Sequence, residues 1–579
     1  MKAGGQALSP PRLAILSIGV GEPSETIPLG AASVAAALSK AFGARLVVSL
    51  AEASPTDEAG LVASRLLEKR PDFIGLSVYT WNRRKMADVV AALGSKGFAG
   101  PLFAGGPEAS AEPFDIIAEL GLDFTVVGEG EESSVAAFEA LLGPERGLRR
   151  TKGRMETDAY LDGLPGIALP GKKEAFKRRQ APGPESLASP WLAGTASPRG
   201  RDEVVWELSR GCAFHCTYCY EGRGEGGVRV FPKDRIEAEL ELLARGGAER
   251  IFVLDPTFNW KRERALDLLA LFAARGKGMA WKFEVRAELL DRALAQAFAR
   301  LDVSIQIGLQ SSDPQVLAKV GRPGFDAERF AAKVALLDAE GLTWGLDLIY
   351  GLPGDTLRGF AKSVDYALGL APNHLDIFPL TVLPGTELAE EAAGFGLGVD
   401  REAPHLLLGA PGFPAEAMAR ARDIAIACDL FYSKGRAVAW FLRALAPLKA
   451  RPSTFLARFG DWLGRQGPKA GALGVAEESN RSDHRSIESL QLAFLEAEYR
   501  ERNLEPLWPL LRDSVRFEGA WTRAVAEGES SVLELAYGPD TFADPPCAEL
   551  RELARLCKPR PSRIRLRPGR SGPAIEVLR

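Results

Sequence analysis

"EVVWELSRGCAFHCTYCY", residues 203–220, runs from a β-branched and aromatic stretch straight into three cysteines within eight positions. Val204, Val205 and Trp206 favour extended backbone, and the Ser-Arg-Gly that follows marks the strand's end. The same rhythm repeats in "ERIFVLD" (249–255), "AWKFEVR" (280–286), "DVSIQIGLQ" (302–310), "TWGLDLIYGLP" (343–353) and "HLDIFPLTVLPGT" (374–386). Amphipathic stretches such as "RIEAELELLARGG" and "FAAKVALLDAEG" separate them. Strand–helix alternation implies parallel pairing. Six β/α units suit a partial (β/α)6 TIM-like barrel over residues 201–398 better than a full eight.

Upstream, "LAILSIG" (13–19), "RLVVSL" (45–50), "FIGLSV" (73–78), "PLFAGG" (101–106) and "DFTVVGEGE" (123–131) alternate with helical patterns. Continuous apolar runs of this length read as buried parallel strands, so residues 1–145 are expected to form a doubly wound, flavodoxin-like α/β domain. Residues 146–200 are basic, then rich in Pro, Gly and Ser, which predicts a linker laid over the surface. From 399 to 579 helical patterns dominate, interrupted by a polar loop from 466 and closed by three short strand-like runs, "SVLELAYG", "SRIRLRP" and "AIEVL". The expected architecture is therefore α/β in two domains followed by a mainly helical C-terminal domain.

A chain of 579 residues exceeds one ordinary core, and 46% hydrophobic with 26% charged residues is typical of a globular protein. A net charge of −4 gives no electrostatic reason to expect nucleic acid or an anionic membrane as partner. Neither a signal-peptide layout nor a membrane-spanning apolar run is evident. Six cysteines in so long a chain do not make a disulfide framework, and Cys428, Cys547 and Cys557 are scattered, as incidental thiols would be.

Cys212, Cys216 and Cys219 follow C-x3-C-x2-C directly after a strand. A structural zinc ion wants four closed ligands, and no second pair stands at suitable spacing, although His215 lies within the motif. A catalytic disulfide needs only two thiols, leaving Cys212 unexplained. Three thiolates suit a [4Fe–4S] cluster with one iron open to a substrate or cofactor. The interleaved Phe214, Tyr218 and Tyr220 shield such a cluster or simply pack.

"SRGCAFHCTYCY" at the head of a β/α series resembles the signature of the radical S-adenosylmethionine (SAM) superfamily, whose open iron chelates the amino and carboxylate groups of SAM. "FEVRAELL" (283–290), "IGLQSSD" (307–313) and "DLIYGLPGDT" (347–356) resemble barrel motifs of the branch containing coproporphyrinogen oxidase and methylthiotransferase relatives. The resemblance implies a cluster on Cys212, Cys216 and Cys219 and SAM held near Tyr218, Asp255, Glu284, Arg286, Gln310 and Asp347. Charged groups at strand ends also form rim salt bridges, a reading open for Asp347. The family's Gly-Gly-Glu after the second strand is not matched; "FVLDPTFNW" offers Asp255 and Asn259 instead.

"GLSVYTWN" (75–82), "AGGPEASAEP" (104–113) and "VVGEGEES" (126–133) close strands of the first domain with Gly-rich turns. Singly each is an ordinary turn. Together, ahead of such a barrel, they resemble the cobalamin-binding domain of cobalamin-dependent radical SAM proteins. The implied contacts are Ser77, Tyr79, Thr80, Trp81, Asn82, Gly105, Gly106, Pro107, Gly128, Glu129, Gly130 and Glu131. No histidine precedes His215, so a corrin here would lack a histidine ligand from this domain.

The resemblance thus implies reductive cleavage of SAM to a 5′-deoxyadenosyl radical, with cobalamin carrying a methyl group to an unactivated carbon of a small molecule or peptide. A flavodoxin or ferredoxin as electron donor and a cytoplasmic setting complete that expectation. A radical SAM enzyme that ignores cobalamin and a non-enzymatic iron–sulfur redox sensor are the alternatives. A methylthiotransferase is disfavoured, because no cysteine precedes Cys212.

Overall fold

The computed structural model describes residues 9–25, 27–142, 160–221, 227–465, 483–569 and 572–578. The chain divides into two compact units, Met1–Ser304 with Thr381–Gly394 and Val399–Leu406, and Ile305–Leu380 with Phe395–Gly398 and Leu407–Arg579.

The first sheet is built from β1 (Arg12–Ile18), β2 (Val47–Ala53), β3 (Phe73–Ser77), β4 (Leu102–Gly105) and β5 (Phe124–Val126). Their order is β2-β1-β3-β4-β5, all parallel. Six of the seven β1 residues are buried because helices cover both faces. Leu13 and Ile15 pack in one core with Phe73, Phe103 and Phe124; Ala14, Leu16 and Ile18 pack in the other with Ile74, Leu76 and Val78. That two-sided burial is why these strands read as continuous apolar runs. The covering helices are α1 (Leu29–Phe42), α2 (Ala59–Glu68), α3 (Arg83–Ser95), α4 (Pro107–Ala111), α5 (Pro113–Leu120) and α6 (Gly130–Leu141).

The described part of the expected linker is in part exposed and in part built into the first domain; residues 146–159 lie outside the described residues. β6 (Ile167–Ala168) adds to the first sheet antiparallel to β5, and Leu161, Ile167 and Leu169 enter its core. Trp191 is fully buried. Gly163, Gly171, Gly194 and Gly200 remain exposed, while the interspersed apolar side chains supply the buried contacts.

A second sheet has the order β14-β13-β12-β11-β10-β7. Its strands are β7 (Val204–Trp206), β10 (Arg250–Val253), β11 (Ala280–Val285), β12 (Asp302–Gln310), β13 (Thr343–Tyr350) and β14 (His374–Pro379). A short ribbon, β8 (Ser209–Arg210) with antiparallel β9 (Arg229–Val230), interrupts the sequence after β7. Adjacent strands follow chain order, the arrangement of an open partial barrel. Behind the first strands, α7 (Lys233–Arg245) and α8 (Arg262–Arg275) cover Trp206 and Trp281, and Phe272 stacks on Trp281 at 4.5 Å. Glu239 of α7 accepts the Trp206 indole N–H at 2.7 Å, satisfying the buried donor.

The second unit holds the helices α9 (Leu357–Gly369), α10 (Ala415–Cys428), α11 (Phe441–Leu448), α12 (Pro452–Arg465), α13 (His484–Glu501) and α14 (Trp508–Ala526). Phe431 lies at the centre of an aromatic core with Trp440, Phe441, Phe455, Phe459 and Phe494. The expected polar loop from 466 falls outside the described residues as far as 482, after which Asp483 caps α13. The three terminal runs form an antiparallel sheet, β15 (Ser531–Leu535), β16 (Ser562–Arg567) and β17 (Ala574–Leu578). No helix among the described residues is long and apolar enough to cross a membrane.

Candidate active site

The cysteine loop springs from β8 and returns through β9. Gly211 adopts φ +83°, and a Cβ there would meet the Gly227 carbonyl oxygen at 2.6 Å, so only glycine fits the loop's first turn. Cys212, Cys216 and Cys219 follow as partly exposed thiols outside any disulfide, with Thr257 Oγ1 at 3.8 Å from Cys212 Sγ. Among the described residues, ligand atoms converge within 4.8 Å only at Glu108, Glu112 and His405. Three thiols at C-x3-C-x2-C spacing on one loop suit a polynuclear cluster in which each thiolate takes its own iron.

Around this loop the first unit places Tyr218, Glu284 and Arg286. The Arg286 guanidinium lies over the Phe214 ring at 3.8 Å and donates to Glu288 at 2.6 Å, which ties the end of β11 to the cysteine loop. Glu284 is solvent-accessible, yet surrounding protein raises its carboxyl above the ordinary value, with Lys282 opposing. Tyr218 is partly exposed.

Asp255 does not fit the expected role. Its carboxylate is buried and accepts from Leu208 N at 2.9 Å, Ser209 N at 3.0 Å, Ser209 Oγ at 2.6 Å and Arg264 Nη1 at 3.2 Å. Every lone-pair direction is thereby engaged in bracing the strand end that launches the cysteine loop. Asn259 is likewise taken up, bonded through both side-chain atoms to the Arg286 backbone at 3.0 Å. Neither residue is left to bind an amino group.

Gln310 and Asp347 belong to the second unit. Gln310 has φ +68°, and its Oε1 is buried with no partner. Asp347 accepts from Gln306 Nε2, which also reaches Asp376 at 3.2 Å, while His374 Nε2 lies 2.6 Å from Gln306 Oε1. Asp347 is thus one rung of a polar ladder across β12, β13 and β14. The ladder favours the structural reading of its carboxylate over a ligand contact.

At the C-terminal ends of the first sheet the expected residues separate into two groups. Gly106 has φ +104°, and a Cβ there would sit 2.5 Å from the Val78 carbonyl; Gly105 precedes it and Pro107 opens α4. Gly128, at φ +82°, faces open space, and Gly130 begins α6. The Thr80 hydroxyl is buried without a partner, and Ser77 lies beside Tyr79. Trp81 stacks on Tyr79 at 4.3 Å and donates to the Ile18 carbonyl at 3.2 Å, yet its side chain is 49% exposed. Open backbone, an orphaned hydroxyl and a braced, half-exposed indole fit a large planar ligand.

Three expected contacts are instead structural. Asn82 is buried, accepting from Tyr79 N at 2.9 Å and donating to the Ile18 and Ser77 carbonyls at 2.9 and 3.1 Å. It pins β1 and β3 together. Glu129 and Glu131 direct their carboxylates to arginines: Arg210 Nη1 lies 3.0 Å from Glu129 and its Nη2 2.8 Å from Glu131, while Arg229 also binds Glu129. Their turn can offer a ligand its backbone but not these side chains.

Sequence reasoning missed Arg210, Glu207 and the group around His405. Arg210 Nε lies 3.0 Å from both Glu207 oxygens. Burial raises the Glu207 carboxyl to about 7, with Arg210 opposing. The doublet of acids in "GEGE" and the arginine of "SRGC" are complementary charges that could have been paired. Glu108, Glu112 and His405 cannot be read as a metal site, because Arg83 Nη1 already lies 2.8 Å from both carboxylates. The guanidinium fills the position an ion would take.

Residues 206–367 match the family model of the radical SAM superfamily, and residues 20–138 that of the B12 binding domain. The 2-(S-pantetheinyl)-carbapenam-3-carboxylate methyltransferase of Streptantibioticus cattleyicolor is 28% identical over 369 residues, covering 59% of this chain and 52% of that protein. The cobalamin-dependent radical SAM methyltransferase TokK of Streptomyces tokunonensis is 28% identical over 353 residues, or 56% and 50% of the two chains. The chain therefore matches about half the length of these curated relatives. TsrM from Kitasatospora setae, solved with cobalamin and a [4Fe-4S] cluster bound, superposes with a TM-score of 0.56 at 17% identity, over 84% of this chain and all of that one. OxsB with aqua-cobalamin bound gives 0.56 at 14% identity, over 94% and 84%. These two likenesses bear on the fold.

Proposed function

We infer that this chain, a radical SAM protein with a B12 binding domain ahead of its barrel, is a cobalamin-dependent enzyme that methylates an unactivated carbon of a small molecule or peptide. The observation that carries the reading is the three-thiol loop that follows β8, in one compact unit with the glycine turns that end β4 and β5. Cys212, Cys216 and Cys219 would hold the [4Fe–4S] cluster and leave one iron for SAM. Gly105, Gly106, Gly128 and Gly130 would give a corrin access to backbone, with Ser77, Tyr79, Thr80 and Trp81 along its edge. When bound, the cluster supplies an electron for SAM cleavage and cobalamin supplies a methyl carrier.

The chain's own residues prepare that chemistry. Asp255 fixes the backbone at Leu208 and Ser209, and Gly211 sets the turn that leads into Cys212. Arg286, held over Phe214, presents a cation beside the loop, where a carboxylate of SAM would bind; Glu284 stands one strand position pair away on β11 for a polar group of the ligand. Tyr218 would lie near the adenine through its backbone. A flavodoxin or ferredoxin would reduce the cluster.

The test is anaerobic reconstitution with iron and sulfide, then addition of hydroxocobalamin, SAM carrying a labelled methyl group, a low-potential reductant and a cell extract. Stoichiometric corrin binding, release of 5′-deoxyadenosine and label in a new product are the expected results. SAM cleavage without corrin binding would leave only a cobalamin-independent enzyme, and absence of cleavage would leave an iron–sulfur sensor. Replacing any one of the three cysteines by Ala should lower SAM cleavage by at least about 100-fold, because it removes a cluster ligand.

A further inference from the structure

The loop that carries the cysteines is gripped at its neck by a carboxylate from the first domain. Arg210 and Arg229 stand opposite each other on β8 and β9, the two strands through which the loop leaves and returns. Both guanidiniums converge on Glu129. Arg210 Nη1 lies 3.0 Å from Glu129 Oε2, Arg229 Nη1 lies 3.3 Å from the same oxygen, and Arg229 Nη2 engages Oε1. Arg210 continues to Glu131, whose side chain is 6% exposed, and to Glu207. Arg229 also donates to the Pro182 carbonyl at 2.6 Å.

Glu129 stands between Gly128, which faces open space, and Gly130, which packs against Val34, in the turn that opens α6. A ligand settling there must set the backbone of that turn. With its carboxylate gripped from both strands of the neck, Glu129 cannot shift without moving Arg210 and Arg229. Gly211 leaves little slack beyond them, since even a methyl group would strike Gly227, and Cys212 is the next residue. Charge-assisted, partly buried bonds of this kind are short and directional, so displacement at one end reaches the other.

We propose that Glu129 couples the corrin site to the cysteine loop, so that SAM bound at the cluster changes the affinity for cobalamin and cobalamin changes the affinity for SAM by the same factor. The coupling rests on the reading that a corrin binds at this turn and SAM at the cluster. Reciprocity is required by linkage, and couplings of this type are about 5- to 150-fold. Glu129 and its two arginines act as positioning residues and touch neither ligand through their side chains. A mere fold staple would make a different prediction: weakening it would lower both affinities and leave their interdependence unchanged.

The experiment uses the full reconstituted chain. Hydroxocobalamin is titrated by absorbance with and without saturating SAM, SAM is titrated by equilibrium dialysis with and without hydroxocobalamin, and iron per chain is measured throughout. The wild type is expected to show at least about a fivefold change in each affinity, equal in the two directions. In Glu129→Gln, and independently in Arg229→Gln where Arg210 is kept, that factor should fall to within about twofold of unity at unchanged iron content. A wild type that binds both ligands independently overturns the coupling and leaves the proposed function standing. Variants that keep the wild-type factor also overturn it. Failure of the wild type to bind any corrin overturns the function reading and the coupling with it.

Discussion

At Gly211 a single hydrogen atom in place of a methyl group decides whether the cysteine loop can form. Its φ of +83° is disfavoured for any residue with a Cβ, and that Cβ would stand 2.6 Å from a backbone oxygen that has no rotamer to move away. Gly211→Ala should therefore cost about 1–3 kcal/mol locally. The expected result is iron per chain well below wild type after reconstitution, with far-ultraviolet circular dichroism unchanged; full iron loading would show that the loop tolerates the strain. Residue identity made the three thiols legible from sequence, because their chemistry depends on spacing along one short loop. It misled at Asp255, Asn82, Glu129 and Glu131. A polar residue after a strand looks the same in sequence whether it faces a ligand or closes a buried bond, and only the partners brought in from distant positions distinguish the two. Asp255 meets Ser209 from 46 positions away, and Glu129 meets Arg210 from 81.

Elements follow the same division between local and distant causes. Strands buried on both sides, such as β1 and β3, were plain in sequence, since two-sided burial writes an unbroken apolar run. β6, only two residues long, was hidden in a Pro- and Gly-rich stretch because edge pairing needs no such run. Helix α14 carries a conflict that its amphipathic pattern does not reveal. Burial raises the Glu518 carboxyl to about 7, with Arg443 opposing only in part. From the ordinary value of 4.5 up to about 7, the folded protein holds a proton that the unfolded chain has released. Stability therefore falls as pH rises through that window, by roughly 3 kcal/mol at its end. Glu518→Gln should raise stability by about 2 kcal/mol at pH 8 and change it little at pH 4.5, as measured by denaturant unfolding at both pH values. An equal gain at both would place the effect in packing instead.

Across the molecule, a buried long-range tie within the first unit joins His405, just after the barrel, to Glu108 at the head of α4, 297 positions earlier. His405 Nε2 lies 3.3 Å from Glu108 Oε2, both side chains are buried, and Arg83 gathers Glu108, Glu112 and Glu119 beside them. The bond to Glu108 raises the His405 pKa above its ordinary 6.5 despite burial. Burial pushes the Glu108 carboxyl up, but His405 and Arg83 outweigh it and hold the carboxyl below its ordinary 4.5. A histidine raised in the fold contributes stability that is complete below 6.5 and lost as pH climbs through the raised value. A carboxylate lowered in the fold contributes above 4.5 and fails as pH falls through the lowered value. The tie is therefore strongest between 4.5 and 6.5. His405→Gln keeps a neutral donor but not the charge, so it should lose about 2 kcal/mol at pH 6, a deficit that shrinks steadily toward pH 9. Thermal unfolding of both proteins across that range checks it. A deficit independent of pH would mean that His405 is held for its shape, and that the charge on Arg83 alone balances the carboxylates.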